Sequence, residues 1–385
     1  MLGEQYYENK KYADYFNANF IMFRADNSKD DGKAIFTKYS IRATPTVMFL
    51  ANDGAEVDWI VGFGGAVEKY HEQVDNAVKG KETFKSYSDQ YKKDPKNIPV
   101  IFNLAKKYDS RYNQDKAAAL YAELIALDPN GKLGTTEYGK EKVSYTQFAE
   151  FQVAGQTLRG AKINAEPMKA FLKKYGSTEM AKSGYQRLSS YYMSTPRNAT
   201  PEDSAKHSVE AKKFFEDYLA KYPDDPMVLS AVVRRIIRSK ENLDKGIELA
   251  QKAVDLPKNG SNSQYVSMLA ELYMLKADQA KAEEVYGKDF ISRETSMYQY
   301  ALSTYANFWA NQGKNLEGAL DAAKKVVTMN PSASAYMTLA NIYVKNKQLD
   351  EAKKAGEKAI ELAPEAQKAM FKTRLETIMK VTEIK

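Results

Sequence analysis

Residues 331–364 read PSASAYMTLANIYVKNKQLDEAKKAGEKAIELAP, two helical stretches joined by a polar turn and bracketed by prolines. Tyr336, Leu339, Ala340 and Tyr343 recur at the spacing that puts side chains on one helix face. Leu349, Ala352, Ala355 and Ala359 repeat that spacing on a second helix, and Pro364 stops the unit. The small residues Ala340 and Ala352 fall on the apolar faces, where two helix backbones must come close. A single helix pair cannot bury such a face alone, so the reading requires neighbours.

The neighbours are present in the same register. Ile101, Leu104, Ala105 and Tyr108 form one copy, followed by Ala117, Tyr121 and Pro129, and Pro95 to Pro129 is a step of 34 residues. Val266, Leu269, Ala270 and Tyr273, then Ala282 and Tyr286, form another. Leu302, Tyr305, Ala306 and Trp309 lead to Leu316, Ala319 and Ala323, with an inter-helix turn one residue longer. Leu243, Gly246, Ala250 and Ala253 read as the second helix of a fifth pair. An ordinary helical bundle shares the 3.6-residue period but not a fixed register. This pattern resembles the tetratricopeptide repeat (TPR), which implies an all-α superhelical solenoid that binds protein or peptide partners in a groove lined by its first helices.

Composition sets further bounds. The chain has 385 residues, enough for more than one domain, with 43% hydrophobic and 28% charged residues. It contains no apolar run long enough to span a bilayer. There is no cysteine, hence no disulfide, no thiolate and no Cys-ligated metal. The net charge of +7 is uneven, with residues 1–80 at −3 and the remainder at +10. Lysines on solvated helix faces are the expected source of that excess, with a basic solenoid that favours acidic partners as the alternative. No basic block with interleaved aromatics points to nucleic acid.

Residues 1–80 differ from the rest. FIMF at 20–23 reads as a short buried strand, KAIFTKY at 33–39 as a helix, and TVMFL at 46–50 as a strand. Asn52-Asp53-Gly54 signals a hairpin into EVDWIV at 56–61, and 66–79 reads as a helix with Val67, Tyr70, His71, Val74 and Val78 on one side. A strand ending in Asp26, then Lys38-Tyr39-Ser40-Ile41, Thr44-Pro45-Thr46 and Asp53-Gly54, resembles the C-terminal two-thirds of a thioredoxin-like domain. The resemblance implies a cis proline at Pro45, with Thr44 and Pro45 offering backbone to an extended substrate. The opening strand and the Cys-x-x-Cys turn of that family have no counterpart in this sequence. The chain is therefore expected to begin inside the first helix of such a domain. A longer parent form would be a thiol–disulfide oxidoreductase or redox-linked folding factor whose repeats recruit partners. Family analogy places such fusions in exported bacterial proteins, hence an extracytoplasmic or periplasmic home.

The expected organisation is a partial thioredoxin-like α/β domain over 1–80, a connecting helix or hinge over 81–97, and a TPR-type solenoid over 98–385. Within the solenoid, 130–142 reads as a polar break, 143–222 as degenerate helix pairs, Thr195-Pro196 as a loop, Thr200-Pro201 as a helix start, and 366–382 as a capping helix. His71 and His207 lack ligand neighbours at metal spacing. Asp30-Asp31 and Asp224-Asp225 sit in polar turns, and Gly62-Phe63-Gly64-Gly65 lacks the Lys-Ser/Thr ending of a phosphate loop. No enzyme site, metal or cofactor is expected. The expected groove residues are Phe102, Lys106 and Asp109 in the first repeat and Met337, Asn341 and Val344 in the last. They do not match the Lys/Asn/Arg clamp by which some TPR proteins grip chaperone C-termini. A thiol-free interaction scaffold is the competing reading to the redox one, and a basic adaptor for nucleic acid or membrane surfaces is a third.

Overall fold

A computed structural model describes residues 2–160, 163–176, 178–194, 199–256, 263–286 and 299–380. Thr195-Pro196, the side chain of Tyr286 and the end of the expected capping helix lie outside the described residues. The chain divides into two compact units, Met1–Tyr191 and Tyr192–Lys385. The expected boundary after residue 80 lies inside the first of these units.

In the first unit a single π-helical turn, Gly3–Tyr7, precedes α1 (Lys10–Asn19) and α2 (Asp30–Lys38). Next come β1 (Thr46–Leu50), β2 (Glu56–Val61) and α3 (Val67–Lys79). β1 and β2 form an antiparallel two-stranded sheet in which Thr46 faces Val61. Their turn is closed by Ala51 N–H to the Ala55 carbonyl (2.8 Å), with Gly54 at φ 79°. Tyr6, Tyr12, Phe16, Phe49, Ile60, Tyr70 and Val74 build the core of this part.

Residues 20–23 are not the buried strand the sequence suggests. Ile21 and Phe23 are exposed, and only Phe20 reaches inward, its ring 5.1 Å from Phe49. The described two-stranded sheet gives this stretch no hydrogen-bonding neighbour, and a strand needs one. Val78 also faces water, its place on the inner stripe taken by Ala77.

The connecting segment, expected as a helix or hinge, holds a packed helix. α4 (Phe84–Lys93) opens with a Thr83/Ser86 capping box. It lies against β2 and α5 (Ile98–Ser110), which pairs with α6 (Gln114–Leu127). The docking is ionic and buried. Arg111, 8% exposed, donates from Nη2 to Asp58 Oδ1 at 2.9 Å and from Nε to Glu56 Oε1 at 3.0 Å. Lys107 binds the other oxygen of Asp58, itself 4% exposed. The guanidinium is centred 4.3 Å from the Phe84 ring and 5.4 Å from that of Trp59.

The expected break at 130–142 holds a hairpin, β3 (Thr135–Tyr138) and β4 (Glu141–Ser144), turning at Gly139 with φ 57°. Its Thr-Thr-Glu and Glu-Lys composition hides it from hydropathy. Tyr138 reaches back to Phe151 (5.8 Å) on α7 (Tyr145–Gln156). α8 (Glu166–Tyr175) and α9 (Glu179–Met193) follow, the last two residues of α9 lying beyond the first unit.

The second unit opens with α10 (Pro201–Lys221), started by a Thr200/Asp203 capping box. Helix pairs then alternate: α11 (Pro226–Ser239) with α12 (Leu243–Asp255), α13 (Ser263–Leu275) with α14 (Gln279–Tyr286). α15 (Gln299–Gln312) pairs with α16 (Leu316–Met329), and α17 (Ala333–Lys345) with α18 (Leu349–Leu362). α19 (Glu365–Lys380) closes the stack, Leu375 lying so near Gly356 that a β-carbon there would be 2.2 Å from its Cδ1. Each first helix packs on the next, α11 on α13, α13 on α15, α15 on α17. The alanines expected at the close approaches, Ala105, Ala117, Ala270, Ala282, Ala306, Ala319, Ala340 and Ala352, are all at 0% exposure. Leu349 departs from its expected inward position and is 40% exposed.

The turns inside the pairs are one device used four times. The residues after Tyr108, Tyr273, Trp309 and Tyr343 reach a left-handed position at Tyr112, Ala277, Gly313 and Lys347. Each aromatic carbonyl accepts the N–H five residues on, at 3.0, 2.9, 3.2 and 2.9 Å. This is the Schellman helix ending. The third turn carries one extra residue, Asn315 at φ 45°, whose Nδ2 donates to Tyr305 Oη at 2.7 Å. Only Gly313 avoids the steric cost of that conformation.

Two expectations follow. Lys347→Gly should raise stability by roughly 0.5–1 kcal/mol, read as a higher urea midpoint at unchanged m-value. Arg111→Ala should cost about 3 kcal/mol or more, since it strips the main partner from the buried Asp58 carboxylate, read as an early loss of the first unit in urea.

Candidate functional site

The residue following each small first-helix position points away from the core. Counting seven back from each left-handed turn residue gives Ala105, Val233, Ala270, Ala306 and Ala340. The next residues are Lys106, Arg234, Glu271, Asn307 and Asn341, none of them buried. The repeat register thus places a polar side chain beside each of these small positions, and each unit has a groove lined by such residues.

In the first unit the groove is a cavity of about 440 Å³ between α5, α7 and α9. Lys106 and Asp109 line it from α5, Gln152 and Gly155 from α7, Arg159 from just beyond α7, and Arg187 from α9. Partial loss of water around Lys106 in the groove lowers its pKa, helped by repulsion from Lys107. Burial raises that of Asp109, opposed through space by Arg159 and Arg187. In the second unit a cavity of about 410 Å³ is lined by Arg234 and Arg238 of α11, Gln264 and Glu271 of α13 and Thr304 of α15. Burial raises the pKa of Glu271, and Arg234 opposes it.

Of the six groove residues expected from sequence, Lys106 and Asp109 line a groove, and Asn341 lies half-exposed beside Ala340. Phe102, Met337 and Val344 do not line one. Phe102 is 2% exposed and stacked 4.0 Å from Tyr145. Met337, at 0%, packs with Ala333, Ala359 and Phe371, and Val344 is buried as well. These positions share helix faces with Lys106 and Asn341, but neighbouring helices cover them. Sequence reasoning missed Arg234 and Glu271, which the register used for Lys106 would have found. It also missed Arg187, which no repeat register reaches.

Thr44, Pro45, His71 and His207 line neither of these grooves. The Thr44–Pro45 peptide is cis and both residues are exposed, while the Pro45 carbonyl is taken by Gly62 N–H at 2.7 Å. His71 Nδ1 meets Tyr6 Oη at 2.8 Å within the aromatic core. His207 stacks on Tyr192 at 5.4 Å. Among the described residues no cluster of His, Asp and Glu has metal-binding geometry, and no helix is long and apolar enough to cross a membrane.

Comparison with known families agrees with the repeat geometry. The tetratricopeptide repeat model matches residues 333–366, which span α17 and α18. That helix pair has the form of a tetratricopeptide repeat. The match does not touch residues 1–80, where the thioredoxin resemblance stays a likeness of sequence alone. No curated protein matches the chain. Among solved structures it is similar to YrrB, described as a TPR protein with an unusual peptide-binding site. That likeness has 15% identity, covers 54% of this chain and 97% of that one, and has a TM-score of 0.31. The TPR domain of P58(IPK) is 17% identical over 82% of this chain and 98% of its own, at 0.25. Yeast Tom70 is 14% identical over 95% of this chain and 67% of its own, at 0.29.

Asp109→Asn tests the groove electrostatics. Because burial holds the Asp109 carboxyl above its ordinary 3.8, the protonated form is favoured on folding. Its contribution is present at acid pH and lost as pH rises through the folded-state value. The amide should therefore stabilise the chain at neutral pH and lose that advantage in acid, as read by urea titrations at both.

Proposed function

We propose that the chain is a protein-interaction scaffold whose first-helix grooves hold extended segments of a partner polypeptide. The observation that carries this is the polar side chain that follows each of these small first-helix positions, facing away from cores that use up the opposite faces of the same helices. Amides and isolated charges in an open, half-dry cleft pair with peptide backbone and with polar side chains. The N-terminal part serves this reading as a structural module docked on the first repeat. Thiol–disulfide exchange needs a thiolate, and this chain has no cysteine.

Peptides enriched by panning a random library on the full chain provide the test. Their affinities, measured by fluorescence anisotropy, should fall about tenfold or more on Lys106→Glu or Glu271→Lys, a loss typical of an interface anchor. Glu357→Ala, on the exposed side of the second helix α18, should change nothing. Equal losses at all three positions would remove the groove reading.

A further inference from the structure

Gly155 on α7 is a position where any β-carbon would collide with a neighbour, 2.0 Å from Nη1 of Arg187. The missing side chain lets the α9 guanidinium lie against α7, centred 3.9 Å over the Phe151 ring. Its hydrogen bonds there are long. Nη1 is 3.5 Å from the Phe151 carbonyl, and Nη2 is 3.4 Å from Gln152 Oε1. Both lie at the outer edge of useful geometry, so a fork of five donors is left largely unspent beside the groove. Stacking on Phe151 fixes the plane of that fork without using its donors. Lys106 and Arg159 line the same cavity, and Asp109 is the one anion among its lining residues.

We propose that this groove selects partner segments carrying side-chain carboxylates, with Arg187 reading the carboxylate and Gly155 seating Arg187. The inference rests on the groove reading above and specifies its partner class. A planar guanidinium matches a carboxylate through two parallel hydrogen bonds, which a neutral amide cannot return. A nucleic-acid backbone fits less well. It would carry its phosphates past Asp109, and of the aromatics lining the groove only Tyr112 is exposed for a base to stack on.

The probe is a short fluorescein-labelled peptide alternating glutamate and alanine, with its glutamine-for-glutamate counterpart, titrated into the full chain at low salt. The glutamate peptide should bind about tenfold more tightly, the worth of one charge-assisted pair. Arg187→Gln should bring the two affinities together while leaving the glutamine peptide unchanged. Gly155→Ala should do the same at an undiminished melting temperature, because the displaced atom ends a flexible side chain and alanine favours the helix. Arg187→Lys should keep part of the preference as a point charge. Equal binding of both peptides to the unaltered chain overturns this inference and leaves the groove reading intact. A preference that survives both Arg187→Gln and Gly155→Ala overturns the assignment to Arg187. An oligothymidine that displaces the glutamate peptide and outbinds it overturns the carboxylate reading in favour of nucleic acid.

Discussion

The helical architecture depends on how closely two helix backbones can approach. At eight positions an alanine with no exposed surface sits where a first helix meets its second or the next first helix. A larger side chain there would force the pair apart, at a cost of about 1–3 kcal/mol for each overpacked site. Aromatics fill the space on either side, with Tyr121 and Trp309 fully buried and Tyr305 nearly so. Small residues set the spacing and large ones supply the buried area, so the fold tolerates very different exposed faces. That tolerance is what allows the position beside each small residue to carry Lys106 in one repeat, Glu271 in another and Asn341 in a third.

The first unit adds a constraint of another kind. Helix α5 is read on two sides at once. Lys107 and Arg111, four residues apart, turn toward Asp58 and Glu56 of β2, while Lys106 and Asp109 turn toward the groove. A buried carboxylate is costly unless paired, so Asp58 fixes where the hairpin sits against the first repeat. The N-terminal part and the first repeat therefore form one compact unit, although their compositions differ enough to suggest separate domains.

The sequence exposed the repeats because their determinants are local. The spacing of Leu339, Ala340 and Tyr343, the polar turn and the closing proline all act within one helix pair, and the register copies them along the chain. Asn52-Asp53-Gly54 was legible for the same reason, since a two-strand turn is set by its own residues. The misreadings occur where the outcome depends on a neighbour. Residues 20–23 look like a strand by composition, but a strand exists only with a partner to bond. Met337 and Phe102 share a stripe with Asn341 and Lys106, but adjacent helices cover the former pair and leave the latter open. The hairpin at 135–144 is nearly all polar, and its docking through Tyr138 onto Phe151 is invisible to periodicity.

By itself the sequence determined the helix pairs and their apolar faces, because these follow from spacings of three and four residues and from prolines that stop a helix. It determined too that this chain has no thiol chemistry. Only the tertiary structure decided which charges share a cavity. Arg187 joins Lys106 and Asp109 across about eighty residues of chain because Gly155 leaves room for it against α7. It decided likewise that Asp58 and Arg111 meet in the dry interior. Close approach and loss of water depend on three-dimensional packing, and no spacing along the chain encodes either one.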